Sequence, residues 1–209
     1  MLTKPIVQTF IELAHKRSFP PKHTIIHAGD DPQSLYLILE GSVSIMLEDE
    51  DGREIVLAYL GPGEFFGEMC LFPDQRVRTA IVRTRTPTLV AEVGYQVFHG
   101  FAREHPDIMF ELAGQLSGRL RDTTRRLGDL TFLDVAGRVA HILLELVDKP
   151  GAQSHPRGTL IRTSRQELAR LVGCSREMAG RVLKKLEEDG MVQSQGRSIL
   201  ILGVHKRVA

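Results

Sequence analysis

Between Thr24 and Val93 turn signals interrupt the chain about every ten residues, and this spacing constrains its fold more than any other feature. The β-rich runs Thr24–His27, Leu35–Leu39, Ser42–Leu47, Glu54–Leu60, Ala80–Arg83 and Leu89–Val93 alternate with turn-forming stretches such as Gly29-Asp30-Asp31-Pro32, Glu40-Gly41 and Gly61-Pro62-Gly63. Strands so short and so evenly spaced predict an antiparallel sandwich or barrel-like roll. Asp51-Gly52, between Ile45-Met46-Leu47 and Ile55-Val56-Leu57, predicts a hairpin turn in which glycine supplies the positive φ. Ahead of the roll, Ile6, Val7, Phe10, Ile11 and Ala14 predict an amphipathic helix over residues 5–17, stopped by Phe19-Pro20-Pro21.

After residue 105 the apolar period lengthens. Met109, Ala113, Leu116, Leu120, Thr123, Leu127 and Leu130 recur at alternating spacings of four and three, an a/d heptad seam within one helix from Pro106 to Leu133. A narrow stripe of this kind is buried most simply against a copy of itself, so the chain is expected to be a parallel homodimer. Thr123 breaks the stripe and Thr124 follows it, placing a polar pair at or beside the dimer axis. Val135, Val139, Ile142, Leu143 and Leu146 predict a further helix from Asp134 to Val147, ended by Pro150-Gly151. Thr159–Arg162 reads as a short strand, two short helices meet at Gly173, and Met191–Leu202 splits at Gln195-Gly196 into a hairpin or wing.

The fold expected is therefore α+β, with an N-terminal antiparallel, jelly-roll-like β-roll over residues 1–105, a dimerisation helix over 106–133 and a helical domain with a wing over 134–209. The net charge of +1 hides an asymmetry: residues 1–105 hold 10 Lys/Arg against 14 Asp/Glu, and residues 106–209 hold 17 against 12. The basic half is the one suited to a polyanion. Two cysteines, Cys70 and Cys174, lie far apart and form no CxxC, which favours a reducing cytoplasm. No stretch approaches 18 apolar residues, so no membrane partner is expected. A cupin-type metal enzyme, the different-class alternative that shares a β-roll, needs clustered His and Glu ligands. The eight histidines are scattered and never form His-x-His, and no nucleophilic triad or pair of carboxylates stands in a recognisable setting. The expectation is a non-enzyme with no metal and no catalytic cofactor.

The sharpest segment of the roll is Gly61-Pro62-Gly63-Glu64-Phe65-Phe66-Gly67-Glu68-Met69-Cys70-Leu71-Phe72, followed by Arg78-Thr79-Ala80. Gly67 allows backbone N–H groups to approach a ligand. Glu68, Met69 and the residues to Leu71 can begin a helical turn whose free donors favour phosphate. Arg78 can meet a phosphate with two hydrogen bonds, Thr79 adds a hydroxyl, and Glu68 is an acceptor suited to a ribose hydroxyl. This order of Gly-Glu and Arg-Thr-Ala inside a glycine-punctuated roll resembles the phosphate-binding cassette of cyclic-nucleotide-binding domains. Roll, long helix and C-terminal half together resemble the cyclic AMP receptor protein family of bacterial transcription regulators over nearly the whole chain. The resemblance implies that Gly67 and Glu68 face the ribose, Arg78 and Thr79 the cyclic phosphate, that Arg119 braces the site, and that Thr123 and Thr124 meet the adenine edge, one from each subunit. Cyclic AMP is the implied effector. Cys70 stands where close relatives usually have Gly, which crowds the cradle slightly. Thr79 stands where many members have Ser and can donate to or accept from a guanine amino group, which leaves cyclic GMP open. Some relatives respond to cyclic di-GMP, or bind DNA without cyclic AMP.

In the basic half, Ser164-Arg165-Gln166-Glu167 is a capping box, Leu168, Ala169, Leu171 and Val172 make a short helix ended by Gly173, and Ser175 can cap a second helix, Arg176–Asp189. Two short helices joined at a glycine, the second one basic, predict a helix-turn-helix. Ala179, Val182, Leu183 and Leu186 point inward, while Glu177, Arg181 and Lys184 share the outer face with Arg176. Arg suits the two acceptors of guanine and Glu the amino donor of cytosine. The run from Arg165 to Lys184 is very similar to the same family's DNA-binding motif. That similarity implies base contacts from Arg176, Glu177 and Arg181, phosphate contacts near Arg165 and Gln166, and a palindromic double-stranded target with TGTGA-like half-sites. Ser154-His155-Pro156-Arg157-Gly158-Thr159 resembles the family's RNA polymerase-contacting loop, with Arg157 where relatives often carry Asp.

Overall fold

The computed structural model describes residues 2–72, 76–149 and 151–205. Two compact units emerge, Met1–Thr123 and Thr124–Ala209. The first holds α1 (Pro5–Leu13), β1 (His15–Phe19), β2 (Thr24–Ile26), β3 (Ser34–Glu40), β4 (Val43–Glu48), β5 (Glu54–Leu60), β6 (Phe65–Phe66), a 3-10 turn at Met69–Leu71, β7 (Ile81–Thr84), β8 (Thr88–Gly94) and α2 (Tyr95–Glu104). Helix α3 (Asp107–Phe132) carries the chain across the division at Thr123. The second unit continues with α4 (Val135–Val147), β9 (Gln153–His155), β10 (Gly158–Arg162), α5 (Arg165–Val172), α6 (Arg176–Glu188), β11 (Val192–Gln195) and β12 (Ser198–Leu202). No helix among the described residues is long and apolar enough to cross a membrane.

The roll is two antiparallel sheets, ordered β1-β8-β3-β6 and β2-β7-β4-β5. Side chains on a strand alternate between faces, so the unbroken apolar run Leu35-Tyr36-Leu37-Ile38 serves two cores at once. Tyr36 and Ile38 join Val43, Leu60, Phe66, Val82 and Val90 between the sheets. Leu35 and Leu37 turn outward to Val7, Phe10, Phe65, Phe98, Ile108 and Leu112, where α1, α2 and α3 cover the first sheet. Phe10 anchors that second core through edge-on contacts to Phe65, Phe98 and Phe101 at 5.2, 6.2 and 6.0 Å. Burying such a ring contributes roughly 1.5–3 kcal/mol. The Asp51-Gly52 turn forms as expected, with Gly52 at φ +75°.

Two sequence expectations are corrected. The first helix stops at Leu13 instead of running to residue 17, and His15–Phe19 pairs with β8 as an edge strand. Only Phe19 of that strand is buried, so its charged, solvent-facing residues carry no apolar alternation to announce it. The heptad seam is also revised. Met109 and Leu116 pack on the core with Ile108 and Leu112, because α3 must lend one face to the first sheet. The exposed apolar side chains of α3 include Phe110 (76% exposed), Leu120 (69%) and Leu127 (63%).

In the second unit, α4, α5 and α6 bury Val139, Ile142, Leu143, Leu168, Ala169, Ala179 and Leu183 against one another and against the antiparallel sheet β11-β12-β10-β9. Asp134 caps α4 by accepting from the Gly137 N–H at 2.8 Å. The last turns of α3 are tied to α4 by Arg125 to Glu145 at 2.5 Å and Asp129 to His141 at 2.6 Å. The sequence-predicted stop at Pro150-Gly151 involves Pro150, which lies outside the described residues.

Candidate functional site

Strand β6 and the 3-10 turn after it bring the Gly67-Glu68 pair to the rim of the roll. Gly67 takes φ +80°, and a Cβ there would stand 2.8 Å from Arg78 Nη1 and 3.1 Å from the Ser34 carbonyl oxygen. The glycine thus makes room for an arginine. Arg78 is 6% exposed. It donates from Nη1 to the Gly67 carbonyl at 2.8 Å and to Tyr95 Oη at 2.7 Å, and from Nη2 to the Ser34 carbonyl at 2.7 Å. An arginine this enclosed, held by backbone carbonyls and a phenol instead of a carboxylate, keeps its full positive charge for an anion.

Glu68 is 5% exposed. Its Oε1 accepts from Arg119 Nη1 at 2.9 Å, and Arg119 also donates to the Phe65 carbonyl. One turn earlier on α3, Gln115 accepts from the Phe65 N–H at 2.8 Å and donates to the Gly63 carbonyl at 2.9 Å. Two polar side chains of one helix face therefore stitch α3 to the glycine-rich segment. Arg119 Nε is buried with no acceptor among the described residues, an orphan donor that a bound polar ligand or water would satisfy.

The helical turn expected after Glu68 is present, but it is a single 3-10 turn of three residues. So short a segment has no macrodipole to focus on an anion, so the positive charge available here is that of Arg78. The Met69 side chain, Thr79, Thr123 and Thr124 are exposed. Cys70 donates to the Val77 carbonyl at 3.4 Å, joining the two limbs of the segment. Arg76 is exposed, and Pro73, Asp74 and Gln75 lie outside the described residues.

The second unit carries a basic surface. Ser164 caps α5 by accepting from the Glu167 N–H at 3.1 Å, Gly173 ends that helix in the left-handed region at φ +71°, and Ser175 caps α6 by accepting from the Met178 N–H at 3.2 Å. Arg165, Arg176, Glu177, Arg181 and Lys184 gather around a shallow cavity of about 420 Å³ floored by Gly180. Of the other residues expected to meet DNA, Gln166 is exposed on α5, and Ser175 commits an oxygen lone pair to its cap. Glu187 fixes the wing to α6. Its Oε1 accepts from the Ser194 N–H at 2.5 Å and the Ser194 hydroxyl at 2.7 Å, and these bonds hold its carboxyl below the ordinary 4.5. The Thr163 N–H donates to the Arg197 carbonyl at 2.9 Å, placing the exposed Arg197 side chain on the wing.

Sequence reasoning missed Tyr95, Ser34, Gln115 and Glu187. Gln115 had a signal, since it precedes Arg119 by one helical turn. Ser34 acts through its backbone, and nothing in the local sequence marks Tyr95. Among the described residues no group of three or more His, Cys, Asp or Glu side chains is arranged to hold a metal ion.

The cyclic nucleotide-binding domain family matches residues 16–105, and the Crp-like helix-turn-helix domain family matches residues 137–206. The chain is 47% identical over 192 residues to the cAMP-activated global transcriptional regulator Vfr of Pseudomonas aeruginosa, covering 90% of each chain. It is 46% identical over 202 residues to the CRP-like protein Clp of Xanthomonas euvesicatoria, covering 94% of this chain and 88% of that one. Among solved structures, the c-di-GMP responsive global regulator CLP of Xanthomonas campestris superposes with a TM-score of 0.90 at 45% identity, covering 95% of this chain and 99% of that one.

Proposed function

Because the chain belongs to the cyclic AMP receptor protein family of cyclic nucleotide-responsive transcription regulators, and is not an enzyme, we propose that it is a homodimer whose operator affinity is set by cyclic AMP. The observation that carries this reading is the enclosed Arg78 beside the Glu68–Arg119 pair. A cyclic nucleotide needs one cation for a singly charged phosphate and one acceptor for a ribose hydroxyl. Arg78 supplies the first. Glu68 supplies the second, since Arg119 engages only Oε1 and Oε2 has no hydrogen-bond partner among the described residues. Gln115 and Arg119 then relay any shift of the ligand segment to α3. The nucleotide meets Thr123 and the partner's Thr124 and stiffens the helical joint, so that the two α6 helices stand about one DNA turn apart.

The dimer is proposed to form through the part of α3 that the roll leaves uncovered. Phe110, Ala113, Ser117, Leu120, Thr124 and Leu127 are all exposed and follow one another at heptad spacing. On the DNA, Arg176, Glu177 and Arg181 read base edges, Arg165, Gln166, Ser175 and Lys184 add polar and phosphate contacts, and the target is a palindrome of TGTGA-like half-sites. RNA polymerase is the expected protein partner.

Cyclic di-GMP is the second reading, carried by the 45% identical relative described as c-di-GMP responsive. A dinucleotide brings two phosphates and needs a second cation, for which the exposed Arg76 is the nearest in sequence. Calorimetric titration of the purified protein with cyclic AMP, cyclic GMP and cyclic di-GMP decides between these readings. Preferential binding of cyclic AMP supports the first, and selective binding of cyclic di-GMP replaces it with the second.

A further inference from the structure

The Tyr95 hydroxyl lies at the centre of the contacts that hold Arg78. Tyr95 opens α2, fixed by its N–H to the Gln33 carbonyl at 3.0 Å, and its ring packs on the helix-side core. The phenol oxygen accepts from Arg78 Nη1 at 2.7 Å and donates to the Gly67 carbonyl at 2.5 Å. The guanidinium carbon stands 5.5 Å from the centre of the ring. Burial, the largest influence on the phenol, pushes its pKa upward, so the hydroxyl keeps its proton and remains a donor to Gly67.

The geometry also fixes which part of Arg78 remains for a ligand. A guanidinium has five N–H donors in one plane. Both donors of Nη1 are used, on Gly67 and Tyr95, and one donor of Nη2 is used on Ser34. Among the described residues Nε–H and the second Nη2–H have no partner. Nε–H and Nη2 share one edge of the plane, and with Ser34 on the Nη2–H that faces Nη1 this edge is a matched fork for two oxygens of one phosphorus. A cyclic phosphodiester presents two unbridged oxygens sharing one charge. A phosphate monoester would bring a third oxygen, for which Arg78 has no donor left.

We propose that Tyr95 is a positioning residue for phosphate recognition: pinned to the Gly67 carbonyl, its hydroxyl holds the Arg78 guanidinium in the rotation that presents only its Nε–Nη2 edge to a cyclic phosphodiester. Gly67 belongs to the same device, since its carbonyl bonds both partners and its missing Cβ admits the guanidinium. The inference rests on the reading of Arg78 as the phosphate-binding residue.

Tyr95→Phe tests it, because the ring beneath Arg78 stays and only the hydroxyl goes. Calorimetry on the full-length protein, with cyclic AMP and with adenosine as a phosphate-free control, should show cyclic AMP bound about tenfold more weakly and adenosine unchanged. Equal losses for both ligands would assign Tyr95 a merely structural role and overturn the proposal, as would unchanged cyclic AMP binding. A second readout needs no ligand. Side-chain nitrogen NMR of the free protein should resolve separate Arg78 Nη signals, and Tyr95→Phe should average them as the guanidinium begins to rotate. Signals that stay separate in the variant overturn the positioning role, whereas a wild-type protein that binds none of the cyclic nucleotides counts against the functional reading instead.

Discussion

Gly67 must be glycine twice over, once for its φ of +80° and once for the 2.8 Å that a Cβ would leave to Arg78 Nη1. The guanidinium cannot swing clear without abandoning two backbone carbonyls and the Tyr95 hydroxyl. Gly67→Ala is therefore expected to cost about 1–3 kcal/mol of stability in the first unit and to weaken cyclic AMP by at least about tenfold. Thermal melting and calorimetry on the same variant check both. On α6, Glu177→Ala should relax discrimination at one position per half-site while leaving the protein folded, since Glu177 is exposed. A binding-site selection that returns the wild-type profile would remove Glu177 from the reading face. Gly67, Glu68, Arg78 and the α6 arginines were legible in the sequence because their spacing is local. Tyr95 was not, since it meets Gly67 across 28 residues through a fold that no short pattern encodes.

At the scale of elements, α3 shows what periodicity settles and what it leaves open. The heptad pattern announced a helix with apolar residues to bury, but α3 splits them between a face on the core and an exposed face. Met109 and Leu116 went to the core, and Phe110, which the heptad reading passed over, is left exposed. Leu120→Asp is expected to leave the roll folded and to give a monomer in sedimentation; a dimer that persists would place the interface elsewhere. Strand β1 escaped notice for a related reason, because an edge strand facing solvent needs no apolar alternation. The wing latch titrates. Glu187 has its pKa lowered in the folded protein, so its contribution is present above the ordinary glutamate range and is lost as pH falls through the lowered value. Glu187→Gln should therefore destabilise the second unit at pH 7 and flatten that part of its acid sensitivity, measured by urea midpoints from pH 7 down to pH 3.

Across the whole molecule, the charge asymmetry and the two units agree on a division of labour. In the proposed reading the acidic roll offers one enclosed arginine, Arg78, to a nucleotide phosphate and leaves the polyanion to the basic unit. The basic unit gathers four cationic side chains, Arg165, Arg176, Arg181 and Lys184, around one reading surface. Operator binding should accordingly weaken steeply with salt, by about 0.9 in log affinity per decade of salt for each phosphate neutralised. The most direct test of the central claim is fluorescence anisotropy of a palindromic duplex with TGTGA-like half-sites, titrated with the protein at fixed salt with and without cyclic AMP. Operator affinity is expected to be about 5- to 150-fold tighter with the nucleotide. Equal affinity at nucleotide concentrations that saturate the protein would contradict it.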